Sequence, residues 1–170
     1  MRSLFIALFL PIATALAADG PATFQVADYT FKRPAKWEWV QPSSAMRKAQ
    51  LRVPDDNGAG ADVVFFHFGA GDGGGTQANI DRWLAQFKDA RDNKVTNEKV
   101  AGRKIVYVST KGTYSGGMPG QAAAALPNYA LLGAIVESNS GNVFIKMTGP
   151  AKVVTGAEKD FREMIASAVK

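Results

Sequence analysis

The sequence predicts an α+β fold in which an antiparallel β-sheet is packed by α-helices. Three observations predict it: groups of strand-like segments are separated by two helical stretches, turn residues of hairpin type join the last strands, and no repeated βαβ unit interrupts them. No internal repeat and no low-complexity linker divides the chain, so residues 18–170 are expected to form a single domain.

The first element is expected to leave the protein. Arg2 precedes an apolar run from Leu4 to Leu10, and Ala15-Leu16-Ala17 supplies a small-x-small cleavage site, the pattern of a secretory signal peptide over residues 1–17. That run is too short to span a bilayer, and nothing later approaches the roughly 18–20 apolar residues that a membrane helix needs. The expected product is a soluble, periplasmic or secreted chain of about 153 residues starting at Ala18, long enough for a real core. The chain has no cysteine, so no disulfide, thiol chemistry or acyl-anchor site is expected.

Phe24–Val26 and Tyr29–Phe31 read as short strands, and Pro34 ends that run before Trp37–Val40. From Arg47 to Val53 the side chains alternate, Ala49, Leu51 and Val53 against Lys48, Gln50 and Arg52, as in a half-exposed strand. A turn-rich stretch from Pro54 to Gly58 follows. Residues 63–68, VVFFHF, are apolar at both parities, which predicts a central strand covered on both faces. Thr76 is placed to cap a helix over 77–88, whose Ile80, Trp83, Leu84 and Phe87 would form one stripe. Further strands are expected at 105–110, 129–137 and 143–148, the last two joined at Ser138-Asn139-Ser140-Gly141. A closing helix would bury Ala157, Phe161, Met164, Ile165 and Ala168.

This order of elements, with the Tyr29-Thr30-Phe31 strand leading to Pro34 and Trp37-Glu38-Trp39, the helix ending Trp83-Leu84-Ala85-Gln86-Phe87, the Gly102 to Tyr107 strand and the closing hairpin and helix, resembles the PsbP-like family over nearly the whole chain after residue 17. The resemblance implies a PsbP-like α/β/α sandwich. It also implies a binding or assembly role without catalysis, in a compartment equivalent to the periplasm. No functional residue of the photosynthetic protein maps onto this sequence, so the resemblance carries no photosynthetic role.

Chemistry is sparse. Gly69-Ala70-Gly71-Asp72-Gly73-Gly74 matches G-x-G-x-x-G between a strand and a helix. The following strands read as hairpins, no acidic partner follows at the required place, and Asp72 would oppose a pyrophosphate. A plain strand-to-helix connection or an anion contact at the helix start fits better. His67 is the only histidine and lies in the most apolar strand, which favours a buried structural role and leaves a Ser-His-Asp arrangement without support. No G-x-S-x-G surrounds a serine, and the cysteines and multiple histidines on which transition-metal sites draw are missing. The run from Asp55 to Asp62 resembles a calcium loop, but Ala59 and Phe66 occupy ligand positions, so a hairpin loop is expected. No catalytic residue, cofactor or metal is therefore assigned.

Binding residues are easier to nominate. A formal charge of +5 is modest for this length and unlike a nucleic-acid-binding composition. Yet Lys32, Arg33, Lys36, Arg47, Lys48 and Arg52 face only Glu38 within one stretch, which makes either a solvated strand face or a docking surface for an acidic partner. The long connection 115–128, with Tyr114 at its start and Met118 as a large apolar side chain, is a second candidate. Trp37 and Trp39 would share one face of an extended segment, as core anchors or as a binding platform. The partner-binding candidates are thus Lys36, Trp37, Arg47, Lys48, Arg52, Tyr114 and Met118, and the expected partner is an envelope or membrane-associated protein. The alternative is a small-molecule or lipid-binding protein with a pocket between sheet and helix at Trp83 and Phe87.

Overall fold

The computed structural model describes residues 20–56, 58–71, 73–116 and 124–170. The expected signal peptide, Asp72 of the glycine loop and Met118 lie outside them.

Strands β1 (Thr23–Val26) and β2 (Tyr29–Lys32) form an antiparallel hairpin in which Phe24 opposes Phe31. Period two sends Phe24, Val26, Tyr29 and Phe31 to one buried face. The main sheet contains β3 (Glu38–Trp39), β4 (Arg47–Val53), β5 (Ala61–His67), β6 (Phe87–Val100), β7 (Arg103–Tyr114), β8 (Leu126–Val136) and β9 (Val143–Pro150). Their spatial order is β3-β4-β5-β9-β8-β7-β6, with every pairing antiparallel. Helix α1 (Thr76–Leu84) carries the chain from β5 to the far edge, and β7, β8 and β9 return by hairpins to lie beside β5. Helix α2 (Ala151–Ala168) follows β9 directly.

Each helix serves one face. Phe161, Met164 and Ile165 of α2, together with the β1–β2 hairpin, pack on Leu51, Val63, Phe65, Ile145 and Met147. The hairpin is tied to the β8–β9 turn by Asp28, whose carboxylate accepts from the hydroxyls of Ser138 (2.6 Å) and Ser140 (3.1 Å). On the opposite face Ile80 and Trp83 of α1 pack on Val106, Val108, Leu131, Ile135 and Phe144. Helix α1 is only nine residues long. At about 13 Å long and about 10 Å across, it cannot cover a seven-stranded face about 29 Å wide. The part of that face over β4 and β5 therefore stays open.

Four expectations change. The first helix stops at Leu84, with Gly75 at its cap position in place of Thr76 and no side chain capping it. Phe87 opens β6, and it still joins the Trp83 cluster. Strand β6 is unexpected because it is an exposed edge whose only neighbour among the described residues is β7, so no apolar period marks it. Its charges and its irregular pairing between Lys88 and Lys94, with positive φ at Asp89 and Asp92, suit an edge that must not recruit another strand. Residues 63–68 are covered fully on one face only, since Val64 and Phe66 point to the open strip. His67 is half-buried at the strand end, with Nδ1 3.4 Å from the Asn142 carbonyl.

The glycine loop feeds α1 from a strand whose two neighbours are both antiparallel, so the parallel βαβ frame of a dinucleotide site is missing around it. Its carbonyls turn inward, and Asn79 Nδ2 donates to those of Gly73 (2.8 Å) and Gly75 (3.1 Å). The run from Asp55 to Asp62 spans the β4–β5 hairpin connection and the first two residues of β5, with Asn57 outside the described residues. Among the described residues no His, Cys, Asp and Glu cluster could hold a metal, and no helix is long and apolar enough to cross a membrane.

Candidate functional site

The open strip is built by alternation. In β4, Ala49, Leu51 and Val53 face the core, so Gln50 and Arg52 face the strip, and an irregularity between Arg47 and Ala49 brings Arg47 to the same side. Strand β5 adds Asp62, Val64 and Phe66, and β9 adds Phe144, Lys146 and Thr148. A register shift between Gly112 and Tyr114 turns the Tyr114 ring onto Tyr129, which it stacks at 6.1 Å and 6°. Arg47, Asp62, Tyr114, Tyr129, Lys146 and Thr148 thereby surround a cleft of about 260 Å³. Beside it, along α1, runs a shallower groove of about 190 Å³ walled by Phe66, Phe68, Trp83 and Phe144, with Lys146 shared between the two.

Lys146 dominates the electrostatics. Its Nζ donates to Gln86 Oε1, lies 3.5 Å from the Tyr114 hydroxyl and sits 5.3 Å from the centre of that ring. Burial, and secondarily the charge of Arg47, lower its pKa from 10.5 to about 8. Among the described residues neither Lys146 nor Arg47 has a carboxylate partner; Arg47 Nη1 donates to Gln50 Oε1 at 2.8 Å. Asp62 faces Arg52 at 4.0 Å. The Thr148 hydroxyl is buried with no hydrogen-bond partner. Tyr114 is held above its usual pKa, by burial first, with Asp62 raising it and Arg47 lowering it, so its phenol stays protonated at neutral pH. The cleft offers N–H and O–H donors to an anion. The single histidine is not among them, because period two places His67 on the other side of β5 from Phe66.

A buried cation of this kind costs stability. Below pH 8 Lys146 is charged in both folded and unfolded states, so the penalty is fully present; between about 8 and 10.5 only the unfolded chain holds the proton, and stability rises with pH across that window. Lys146→Met is therefore expected to stabilise the fold by about 1–3 kcal/mol at pH 7. It should also flatten the rise between pH 8 and 10.5, checked by denaturant unfolding across pH. Unchanged or lower stability at pH 7 would mean that the amine is not strained.

The structure brings three of the nominated residues together: Arg47 and Tyr114 line the cleft and Arg52 flanks it. Lys48 is exposed beside them, its Nζ 3.4 Å from the Ala45 carbonyl. Lys36 is elsewhere, with Lys32 and Arg33 in a groove against Asp160 and Glu163 of α2. The basic stretch is thus split between two faces. Trp37 is 2 % exposed and packs in the core. Trp83 and Phe87 are packed in the second core cluster, and of the two Trp83 also walls the groove between α1 and the sheet. Lys146, Thr148, Asp62 and Tyr129 were not nominated. The available signal was Lys146 itself, a lone cation within Val143-Phe144-Ile145-Lys146-Met147.

No family model matches this sequence, and no curated protein matches it significantly. Solved structures do. The solution structure of cyanobacterial PsbP (CyanoP) from Synechocystis sp. PCC 6803 aligns with a TM-score of 0.53 over 91 % of this chain and 96 % of that one, at 11 % identity. The fold is PsbP-like. A protein of unknown function from Pseudomonas aeruginosa, described as a suggested regulator, aligns equally well, with a TM-score of 0.53 over 87 % of this chain and 95 % of its own, again at 11 % identity. The PsbP-like fold is thus shared across chains with little sequence in common.

Proposed function

We propose that this chain is an exported, non-catalytic binding module that contacts an envelope protein through the strip of sheet beside α1. Export rests on the signal-peptide pattern of residues 1–17. The observation that carries the binding role is the strip itself: Arg47 and Lys146, without carboxylate partners among the described residues, adjoin aromatic side chains of which Phe68 is 38 % exposed. A face that mixes exposed aromatic surface with unneutralised cations has the composition of a recognition surface. Tyr114 and Leu126, which flank the connection between β7 and β8, both line the cleft.

Crosslinking in intact cells tests this. Wild type is expected to capture a specific envelope protein, and Arg47→Glu/Arg52→Glu, on the exposed edge of the strip, should reduce the capture at least about tenfold. Its thermal unfolding should stay close to that of wild type. Equal capture by both forms, or none by either, would remove the proposal.

A further inference from the structure

We infer that the cleft between β4, β7 and β9 is a carboxylate-binding site, in which Lys146, Arg47 and the Thr148 hydroxyl receive the carboxylate and the stacked Tyr114 and Tyr129 rings receive the group that carries it. The inference rests on the binding-module reading for its biological use and deepens it by naming the chemistry of the occupant.

Unused donors carry the argument. An ammonium has three N–H groups; that of Lys146 directs one at Gln86 and has a long contact to Tyr114. A guanidinium has five, and the hydrogen bond of Arg47 to Gln50 uses one. The Thr148 hydroxyl, buried and unpartnered on the same lining, is a third donor. Leaving a buried hydroxyl unpaired is costly, and an occupant that accepts from it removes the cost. Asp62 does not neutralise the pair, since it faces Arg52.

The class of anion follows from the donor set. Two cations and one hydroxyl, with no helix N-terminus among them, match the two oxygens of a planar carboxylate better than the three of a phosphate monoester. Asp62 on the rim also opposes a dianion more than a monoanion. The stacked tyrosines offer a flat apolar wall to an aromatic or aliphatic body. A free small acid and an acidic side chain of a partner present the same group, so the chemistry is common to both sources.

The groups facing Lys146 set the pH response: Arg47 from β4, Asp62 from β5, Tyr114 from β7, Tyr129 from β8 and Gln86 after α1. Burial holds the Tyr114 phenol above its usual pKa, so the loss of the Lys146 proton governs binding on the alkaline side. Affinity should fall as pH rises through and above 8, with the midpoint displaced upward by the bound anion.

Titration of the purified chain by nuclear magnetic resonance tests the site, with sodium benzoate as probe, benzamide as its neutral isostere, and inorganic phosphate for comparison. Benzoate should give saturable shifts confined to the cleft residues of β4, β5, β7, β8 and β9 and to Gln86. It should bind at least about tenfold more tightly than benzamide or phosphate. Lys146→Met, a variant expected to be more stable than wild type, should lose about tenfold or more in benzoate affinity, and Thr148→Val, which keeps the shape, about threefold. Equal binding of benzamide, no saturation by benzoate at its solubility limit, or wild-type affinity in Lys146→Met would each overturn the inference. In a parallel arm, acetyl-Ala-Glu-Ala-amide is titrated against its glutamine counterpart; tighter binding than benzoate marks a polypeptide side chain as the source, and weaker binding a free acid. Partner capture by crosslinking is read separately, so a failed titration with retained capture removes the carboxylate site and leaves the binding module standing.

Discussion

Replacing Trp37 by alanine is expected to destabilise the protein by about 3–5 kcal/mol, the range for removing a large aromatic from a packed interior. The indole is 2 % exposed and lies in the cluster that joins α2, the β1–β2 hairpin and the sheet. Its backbone is fixed as well: its N–H donates to the Pro34 carbonyl at 2.9 Å, and its carbonyl accepts from Arg33 Nη1. The side chain thus closes the end of the core where the chain passes from hairpin to sheet. Denaturant unfolding gives the loss directly, and the same preparation separates the two roles that an exposed or buried tryptophan would have. If the surviving folded fraction binds benzoate with wild-type affinity while the unfolding midpoint drops steeply, Trp37 is a core anchor. Near-normal stability with lost partner capture would instead put Trp37 on the recognition surface and contradict its burial.

What could be read in advance divides along physical lines. Strand β4 and helix α2 were legible because each buries one face, which imprints a period of two or of 3.6 on the sequence, and β7, β8 and β9 because burial on both faces makes apolar runs bounded by turn residues. Strand β6 buries only Phe87 along its length and so leaves no imprint; it is held by pairing to β7, which single-sequence periodicity does not record. Phe87 misled for a related reason, since the position one helical period beyond Trp83 and Leu84 reaches the same apolar cluster whether the chain continues as helix or turns at Ala85. In the cleft, Arg47 and Arg52 were marked by charge density, and Tyr114 by the connection it begins. Thr148 and Asp62 are ordinary strand residues whose meaning comes only from lying beside Lys146 and Arg52 in the folded sheet. The run from Lys32 to Arg52 was read as one basic face because sequence proximity does not reveal that the chain crosses from the α2 side to the α1 side between Lys36 and Arg47.

Gly133→Val should be the second most damaging substitution, and its effect should reach the cleft. A Cβ on Gly133 would lie 2.6 Å from Cε3 of Trp83, inside the ring's van der Waals surface, and the indole is 6 % exposed within the second core cluster. The missing side chain on β8 is therefore what lets α1 seat its tryptophan flat on the sheet. Valine is a better strand residue than glycine, so local propensity alone would make the variant more stable. Overpacking against Trp83 predicts the opposite sign, a loss of about 1–3 kcal/mol. Gln86 lies only three residues beyond Trp83 and accepts from Lys146 Nζ, so lifting α1 should also loosen Lys146 and let water reach it. Its pKa should then rise from about 8 toward the ordinary 10.5, as the burial that depresses it is relieved. Benzoate affinity at pH 7 should fall with it, because the donors no longer converge. Trp83→Leu in the Gly133→Val background removes the clash, and the pair should be less destabilising than the sum of the two single changes, which a double-mutant cycle reads as coupling. A stabilised Gly133→Val, or strictly additive effects, would show that Trp83 does not rest on Gly133, and the position of α1 would lose its role in shaping the open strip.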